Sequence, residues 1–320
     1  MRQYIARRLL LFVPTIAASS VLVFMLMRVI PGDVAMMYFV GPGGKGSVSP
    51  EYLQSIRHEL GLDRPYHEQY LAWIGGLLRF DAGKSLWTNR KIVDEIGERL
   101  PVTTQIALMS VGIALLIAIP TGVLSALRQD TWVDYVLRVL SIAGITTPTF
   151  WTATLIVLLL TLVFHWIPPV GYTGFFQDPI QNLKQTIFPS LVLGYYFAAI
   201  VSRMTRSAVL EVLRQEYIRT AWAKGLRTRV VLSRHALRNA ILPVVTIAGI
   251  QFGTLLGGTV VMETIFVLPG IGSHLIDSIV VRDYPMTQDL ILLITTWFLV
   301  INFMVDMTYA WLDPRIRYSK

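Results

Sequence analysis

Long apolar runs, separated by shorter charged segments, set the pattern of this chain. The first, 9–27, holds 19 uncharged residues, enough to cross a bilayer at roughly 20 residues per helix. Five more follow, at 102–127, 139–166 with Pro148 inside, 185–202, 239–262, and 290–312, whose one charge is Asp306. The pattern predicts an all-α integral membrane protein with six transmembrane helices. The N-terminus opens like a signal peptide, with Arg2, Arg7 and Arg8 ahead of the apolar run. A signal core is shorter, about 7–15 residues, and the small residues Ala17, Ala18, Ser19 and Ser20 lie in mid-run. Residues 1–30 are therefore read as a retained first transmembrane helix.

The polar intervals differ from one another. Residues 31–99 are nearly balanced in charge and soluble in character. Around 58–62 and 70–80 they carry short amphipathic patterns, and GPGGKGS at 41–47 reads as a loop. They form a cap between the first two spans. Residues 203–238 hold nine basic side chains against two acidic ones, Glu211 and Glu216. Placing those nine in hydrocarbon would cost on the order of 25 kcal/mol, so this segment lies outside the membrane. With six spans both termini share a side. The cytoplasm then receives the basic cluster and both basic termini, and the cap faces outside, as the positive-inside pattern requires. The division is 1–30 for the first helix, 31–99 for the extracytoplasmic cap, and 100–320 for a core of five spans that includes a cytoplasmic loop at 211–240.

Composition agrees: 54% of residues are hydrophobic and 15% charged, against about 25% charged in soluble domains, and the mean hydropathy is +0.56. The net charge of +8 is explained by the inner loops, so no nucleic-acid partner is needed; membrane lipid is the expected surrounding. There is no cysteine, which excludes disulfides and thiolate metal sites.

Candidate chemistry is thin. GLLRFDAGKS, ending at Ser85, approaches a phosphate-binding loop but has Leu78 where the first glycine must stand. GPGGKGS puts Gly46 where Ser or Thr is required. The histidines at 58, 67, 165, 235 and 274 show no metal-ligand spacing, and there is no nucleophile elbow. No catalytic, cofactor or metal site is expected. Asp306 and Asn302 are the notable polar residues of the last span. An intramembrane ionisable group is a functional candidate by default, though local pairing near the interface is the simpler reading of Asp306. Gly249, Gly253 and Gly257 leave one face of the fifth span bare, which allows close helix packing, within the chain or against a partner.

The stretch EYIRTAWAKGLRTRVVLSRHALRNAILP, 216–243, needs more than a positive-inside rule. Leu210, Leu213, Tyr217 and Ala221 fall on one helical face, with Glu216 and Arg219 pointing away. The helix is expected to continue inward from the fourth span. Gly225 after Lys224 reads as a glycine C-cap behind a basic last turn. Thr228 is placed to cap a second helix that enters the fifth span near Pro243. A lipid-binding loop would explain the arginines but not this helix–glycine–helix order.

That order resembles the coupling loop of permease subunits in binding-protein-dependent ABC importers. The characteristic triplet falls on Arg219-Thr220-Ala221, the glycine on Gly225 and the closing Leu-Pro on Leu242-Pro243. The departures at Arg219 and Thr220, and the longer gap to Leu-Pro, fit the dipeptide, oligopeptide and nickel branch, in its first-permease type. Other stretches in the same order support this branch: RRLLLFVPT…RVIPGD at the start, LGLDRPYHEQYLAWI at 60–74, GERLPVTTQIAL at 97–108, TPTFW at 147–151, PPVGY at 168–172, ETIFVLPGIG at 263–272, RDYP at 282–285 and DPRIR at 313–317.

The resemblance implies a type I importer permease fold in a prokaryotic inner membrane. It implies a second homologous permease, two ATPase subunits that carry the ATP and Mg, and an extracytoplasmic solute-binding protein. Glu216, Tyr217, Arg219, Thr220, Ala221, Lys224, Gly225 and Leu226 would couple to an ATPase. The substrate would be a di- or oligopeptide or a related small solute, delivered by the binding protein. A secondary transporter or channel is the alternative, and neither an internal repeat nor a set of midplane charges for ion coupling speaks for it.

Overall fold

The computed structural model describes residues 2–29, 49–59 and 61–312. In chain order the helices are α1 (Arg2–Val29), α2 (Pro50–Glu59), α3 (Tyr66–Leu77), α4 (Ile92–Leu127), α5 (Trp132–Thr146), α6 (Thr149–Leu162), α7 (Pro179–Leu213), α8 (Glu216–Ala223), α9 (Thr228–Val230), a π-helical segment (Val231–Ala236), α10 (Leu237–Ile265), α11 (Ile271–Val280) and α12 (Tyr284–Leu312). Among the described residues the only β pairing is an isolated bridge between Lys84 and Lys91. The expected stretches GPGGKGS, most of RVIPGD and DPRIR lie outside the described residues.

Five stretches are long and apolar enough to span a membrane: Leu10–Val29, Ile92–Leu127, Pro179–Leu213, Thr228–Leu255 and Tyr284–Val305. The sixth departs from the expected single helix over 139–166. It is the pair α5 and α6, bent by 102° at the break between them. The cause is Pro148. A proline pushes the preceding residue out of the helical region, and Thr147 is extended at φ −83°, ψ 122°. Counting the bent pair as one span gives six.

The chain divides into two compact units. One comprises Met1–Ile5, Thr103–Leu268 and Phe298–Lys320. Its centre is α7, which packs against α5, α6 and α10. Asp178 starts α7 by accepting from the Ile180 and Gln181 amides at 3.1 and 3.0 Å, with Pro179 in the first turn. Close approach along α7 depends on missing side chains. A Cβ on Gly194 would lie 2.8 Å from Ile113, and one on Gly144 would lie 2.8 Å from Ala199. Two polar clusters tie the helix on either side of this apolar middle. Toward its start, Asn182 and Thr186 bond Gln105 of α4, and Gln105 accepts from the Tyr172 hydroxyl at 2.8 Å. Toward its end, Arg206 makes a bidentate pair with Asp134 of α5, at 2.8 and 2.7 Å. Asp134 is fully buried, so the pair survives only because its remaining capacity is filled, by the Ser125 hydroxyl at 2.5 Å and the Asp130 amide at 3.1 Å.

The other unit comprises Ala6–Val102 and Pro269–Trp297. Its apolar core gathers Ile92, Ile271, Met286 and Leu290. Phe24 of α1 is 1% exposed and packs against Tyr70 and Trp73 of α3. The Arg28 guanidinium lies 4.0 Å from the Phe24 ring centre and donates to Gln69. Beneath α3, the Trp73 indole N–H donates to Asp289 at 2.6 Å.

Candidate functional site

The 216–243 joint is built from short-range chemistry. The expected continuous helix from the fourth span breaks at Arg214–Gln215: α7 ends at Leu213, and Gln215 is extended at φ −73°, ψ 146° before α8 begins. An eight-residue helix is far below the length that is stable alone in water, so α8 needs tertiary support. It gets this from Ile218 and Ala221, which share one face and are buried with Val231 and Ala236, against Val212, Leu213 and Leu232. Ala221 therefore packs on the chain's own next helix, and its 6% exposure leaves little of it for a partner to touch.

The end of α8 satisfies its last carbonyls twice. The Gly225 amide donates to the Trp222 carbonyl at 2.9 Å and the Leu226 amide to the Ala221 carbonyl at 3.4 Å, the paired bonds of a Schellman cap. Gly225 sits at φ +77°, where a side chain is strained through the backbone. Room is not the constraint, since a Cβ there meets nothing within 4 Å. The second helix is not capped by Thr228, as its position suggested. Arg227 is the N-cap, without a side-chain bond, and Thr228 is the first helical residue. The run then loosens into the π-helical segment before α10, which carries Pro243 inside it.

The face of α8 away from its core is open. Tyr217 and Trp222 are 42% and 41% exposed, and Leu226 is 38% exposed. Glu216, Arg219, Thr220 and Lys224 are exposed around them. Arg219 donates to Glu216 at 2.8 Å, a surface pair of small energetic weight. The Tyr217 hydroxyl accepts from Asn239 at 2.7 Å, which links α8 to the start of α10. The arrangement offers a braced apolar knob in a basic rim, with no nucleophile beside a base. Trp222, which sequence reasoning did not single out, is one of its largest exposed side chains. An unpaired tryptophan in a basic loop was the available signal.

The glycine face of α10 divides. A Cβ on Gly249 would collide with Val305, and one on Gly253 would lie 2.8 Å from the Phe298 ring. At Gly257 nothing lies within 4 Å. In the last span the Asn302 amide donates to the Phe298 carbonyl at 3.0 Å. The side chain of Asp306 lies outside the described residues.

The near-miss GKS sequence has a structural use. The Ser85 hydroxyl donates to Asp283 and accepts from the Trp87 and Thr88 amides at 3.2 and 3.0 Å. Asp283, the acid of RDYP, also accepts from the Leu86 and Met286 amides at 3.3 Å each. Nearby, Glu95 accepts from the Thr88 hydroxyl and lies 3.1 Å from His274. Burial lowers the His274 pKa, and the Arg99 charge adds to this against the opposing pull of Glu95. Three further motifs, those at 97–108, 168–172 and 263–272, meet in the first unit. The Thr103 hydroxyl donates to Glu263 at 2.7 Å, and the Gly171 amide to the Val267 carbonyl at 3.3 Å. Among the described residues no group of three or more His, Asp or Glu is arranged to hold a metal.

Comparison with known proteins places this architecture. Residues 118–318 match the family described as binding-protein-dependent transport system inner membrane component. Residues 1–107 match the corresponding N-terminal family. A di/tripeptide transport system permease protein of Pseudomonas aeruginosa is 39% identical over 343 residues, covering 100% of both chains. A glutathione transport system permease protein of Escherichia coli O6:H1 is 37% identical over 319 residues, again covering 100% of both. In fold, the chain is similar to a solved structure of the MetNI methionine ABC transporter, with a TM-score of 0.53 at 16% identity, over 68% of this chain and 96% of that one. These matches displace the alternative of a secondary transporter or channel. The chain belongs to the binding-protein-dependent transport system inner membrane component family, the membrane-spanning permease subunits of ABC transporters.

Proposed function

We propose that this chain forms half of the translocation pathway of an ATP-driven importer for di- or oligopeptides or a related small solute, with α8 as its seat on an ATPase subunit. The observation that carries this reading is the braced joint at Gly225: a short helix fixed on one side by its own apolar core and open on the other. Such a part transmits force by fit and stiffness. Nucleotide-driven closure of the ATPases would bias the two states of the spans joined to it. A second homologous permease completes the pathway, two ATPases carry ATP and Mg, and a binding protein delivers the solute from outside. The names of the relatives support the peptide class.

The seat comprises Tyr217, Thr220, Trp222 and Leu226, ringed by Glu216, Arg219 and Lys224, while Ala221 and Gly225 set its shape. The cytoplasm holds both termini and this joint; residues 31–99 face outside. Cysteines placed at Ser47 and Ser233 will then label from opposite faces of intact cells, and labelling from one face would overturn the orientation. The test of coupling is substrate-stimulated ATPase activity of the assembled complex in lipid, together with ATPase co-purification. Thr220→Asp with Trp222→Asp lowers both at least tenfold on this reading. Wild-type levels of both in that variant would remove the seat from α8.

A further inference from the structure

A cavity of about 280 Å³ opens between α5 and α7, and nothing in the coupling scheme uses it. Arg138, Ser141, Ile142 and Ile145 of α5 face Arg203 and Arg206 of α7 across it. Its charge is uneven. Arg206 is committed to Asp134, so that pair braces the wall and cancels itself. Among the described residues neither Arg138 nor Arg203 has a carboxylate within ion-pair distance. The Arg138 guanidinium carbon lies 5.8 Å from the Tyr135 ring centre. Both are exposed. Two uncancelled guanidinium groups on membrane helices are costly unless an anion or water meets them.

The cavity is also graded. Arg203 and Arg206 lie toward the end of α7 and Arg138 lies midway along α5, while Ile142 and Ile145 lie one to two turns further along α5. At the start of α5, Trp132 and Tyr135 are 75% and 53% exposed, the aromatic signature of the headgroup level. A small inorganic anion would meet the arginines and leave the apolar wall unused. The volume is just below the roughly 300–1,000 Å³ typical of small-molecule sites, which suits a headgroup whose tails continue outside. Basic pockets between spans on the cytoplasmic side suit acidic headgroups, and the arginine fork matches phosphate oxygens.

We propose that this cavity binds the phosphate of an anionic phospholipid such as phosphatidylglycerol, with Arg138 and Arg203 donating to it and an acyl chain lying along Ile142 and Ile145. This rests on the cytoplasmic placement of these helix ends proposed above, and not on the coupling role of α8.

The test is native mass spectrometry of the whole importer, extracted from membranes and titrated with phosphatidylglycerol or phosphatidylcholine. The expected result is phosphatidylglycerol bound to this chain, at least tenfold less in Arg138→Gln with Arg203→Gln, and restored in the matching Lys pair. Arg227→Gln with Arg229→Gln, which removes equal charge elsewhere in the basic segment, retains the lipid. Inorganic phosphate at millimolar concentration fails to displace it. Equal retention in the first Gln pair, equal binding of phosphatidylcholine, or displacement by inorganic phosphate would each overturn the proposal. Should the Gln pair not assemble, photoactivatable phosphatidylglycerol on the wild-type importer must label peptides containing 137–145 or 202–207, and labelling only elsewhere refutes the site. Because lipid retention is read without ATP turnover, this result stands or falls apart from the coupling test.

Discussion

The joint at 216–243 and the polar network around Asp283 use similar residue types for opposite purposes. Around α8 the charged and hydroxyl side chains face outward, one exposed ion pair is their main mutual contact, and four small or branched residues, Ile218, Ala221, Val231 and Ala236, supply the buried support. Around Asp283 the polar atoms face inward. Ser85, Glu95 and Asp283 are 4%, 1% and 3% exposed, and partners come from loops 198 positions apart in sequence. The first arrangement leaves its polar surface free to meet another molecule. The second spends its polar groups on holding loops together. A charged residue in a membrane protein thus carries no fixed meaning; what counts is whether its hydrogen-bonding capacity is already filled.

The sharpest test of that contrast is to empty one acceptor in each region. Asp283→Ala strands the Ser85 hydroxyl and the Leu86 and Met286 amides, at a cost on the order of 3 kcal/mol. Glu216→Ala removes an exposed partner and should change stability by less than about 0.5 kcal/mol. Thermal unfolding of the purified complex in detergent reads both. Similar losses in the two variants would erase the distinction.

Packing gives the next largest effect. Gly253→Leu forces side-chain volume against Phe298 and should destabilise the chain by about 1–3 kcal/mol. Gly257→Leu, at a position with nothing near a Cβ, should be close to neutral for folding of the single chain. If it instead blocks assembly with the proposed second permease, that glycine belongs to an interface between subunits. Folded yield by size-exclusion chromatography separates these outcomes.

Gly225→Val comes third, at roughly 1–2 kcal/mol, because the φ of +77° must be held by a residue that resists it. Its effect on coupling should exceed its effect on stability. A redirected Leu226 and second helix would misplace the proposed seat while α8 keeps its core. A Gly225→Asn variant, which tolerates the left-handed conformation better, should recover most of the ATPase stimulation. If Asn and Val are equally impaired, backbone handedness is not what the position supplies.

The same contrast explains what the sequence could disclose. Spans, basic loops and the glycine stop of α8 are local signals, each written within a few residues, and they were readable. Pro148 was readable too, but its effect, two helices at 102°, depends on what the second helix can pack against, so the expected span was one continuous helix where the structure has a bent pair. The break at Arg214–Gln215 and the burial of Ala221 follow from the second helix folding back on α8, and no local pattern states that. The buried pairs were the least legible. Asp134 with Arg206 joins positions 72 apart, and Thr103 with Glu263 joins positions 160 apart. Read one at a time, each looks like an ordinary polar residue near a span end.

The smallest predicted effect tests the inward network by proton. His274 is mostly buried, with Glu95, Arg99, Asp277 and Asp283 as its charged neighbours, and burial followed by Arg99 lowers its pKa. The unfolded chain has no such environment, so its histidine takes up a proton near the ordinary value of about 6.5. Between that value and the lowered folded one, the unfolded state holds more protons, and stability must fall as pH falls. The contribution is fully present above the ordinary histidine value. Thermal midpoints of the complex, taken at steps from pH 7.5 to 5, should therefore decline for the wild type and decline less for His274→Gln, which cannot charge. A wild-type midpoint that rises on acidification would mean that the Glu95 carboxylate, 3.1 Å away, outweighs burial and that the network holds a charged pair.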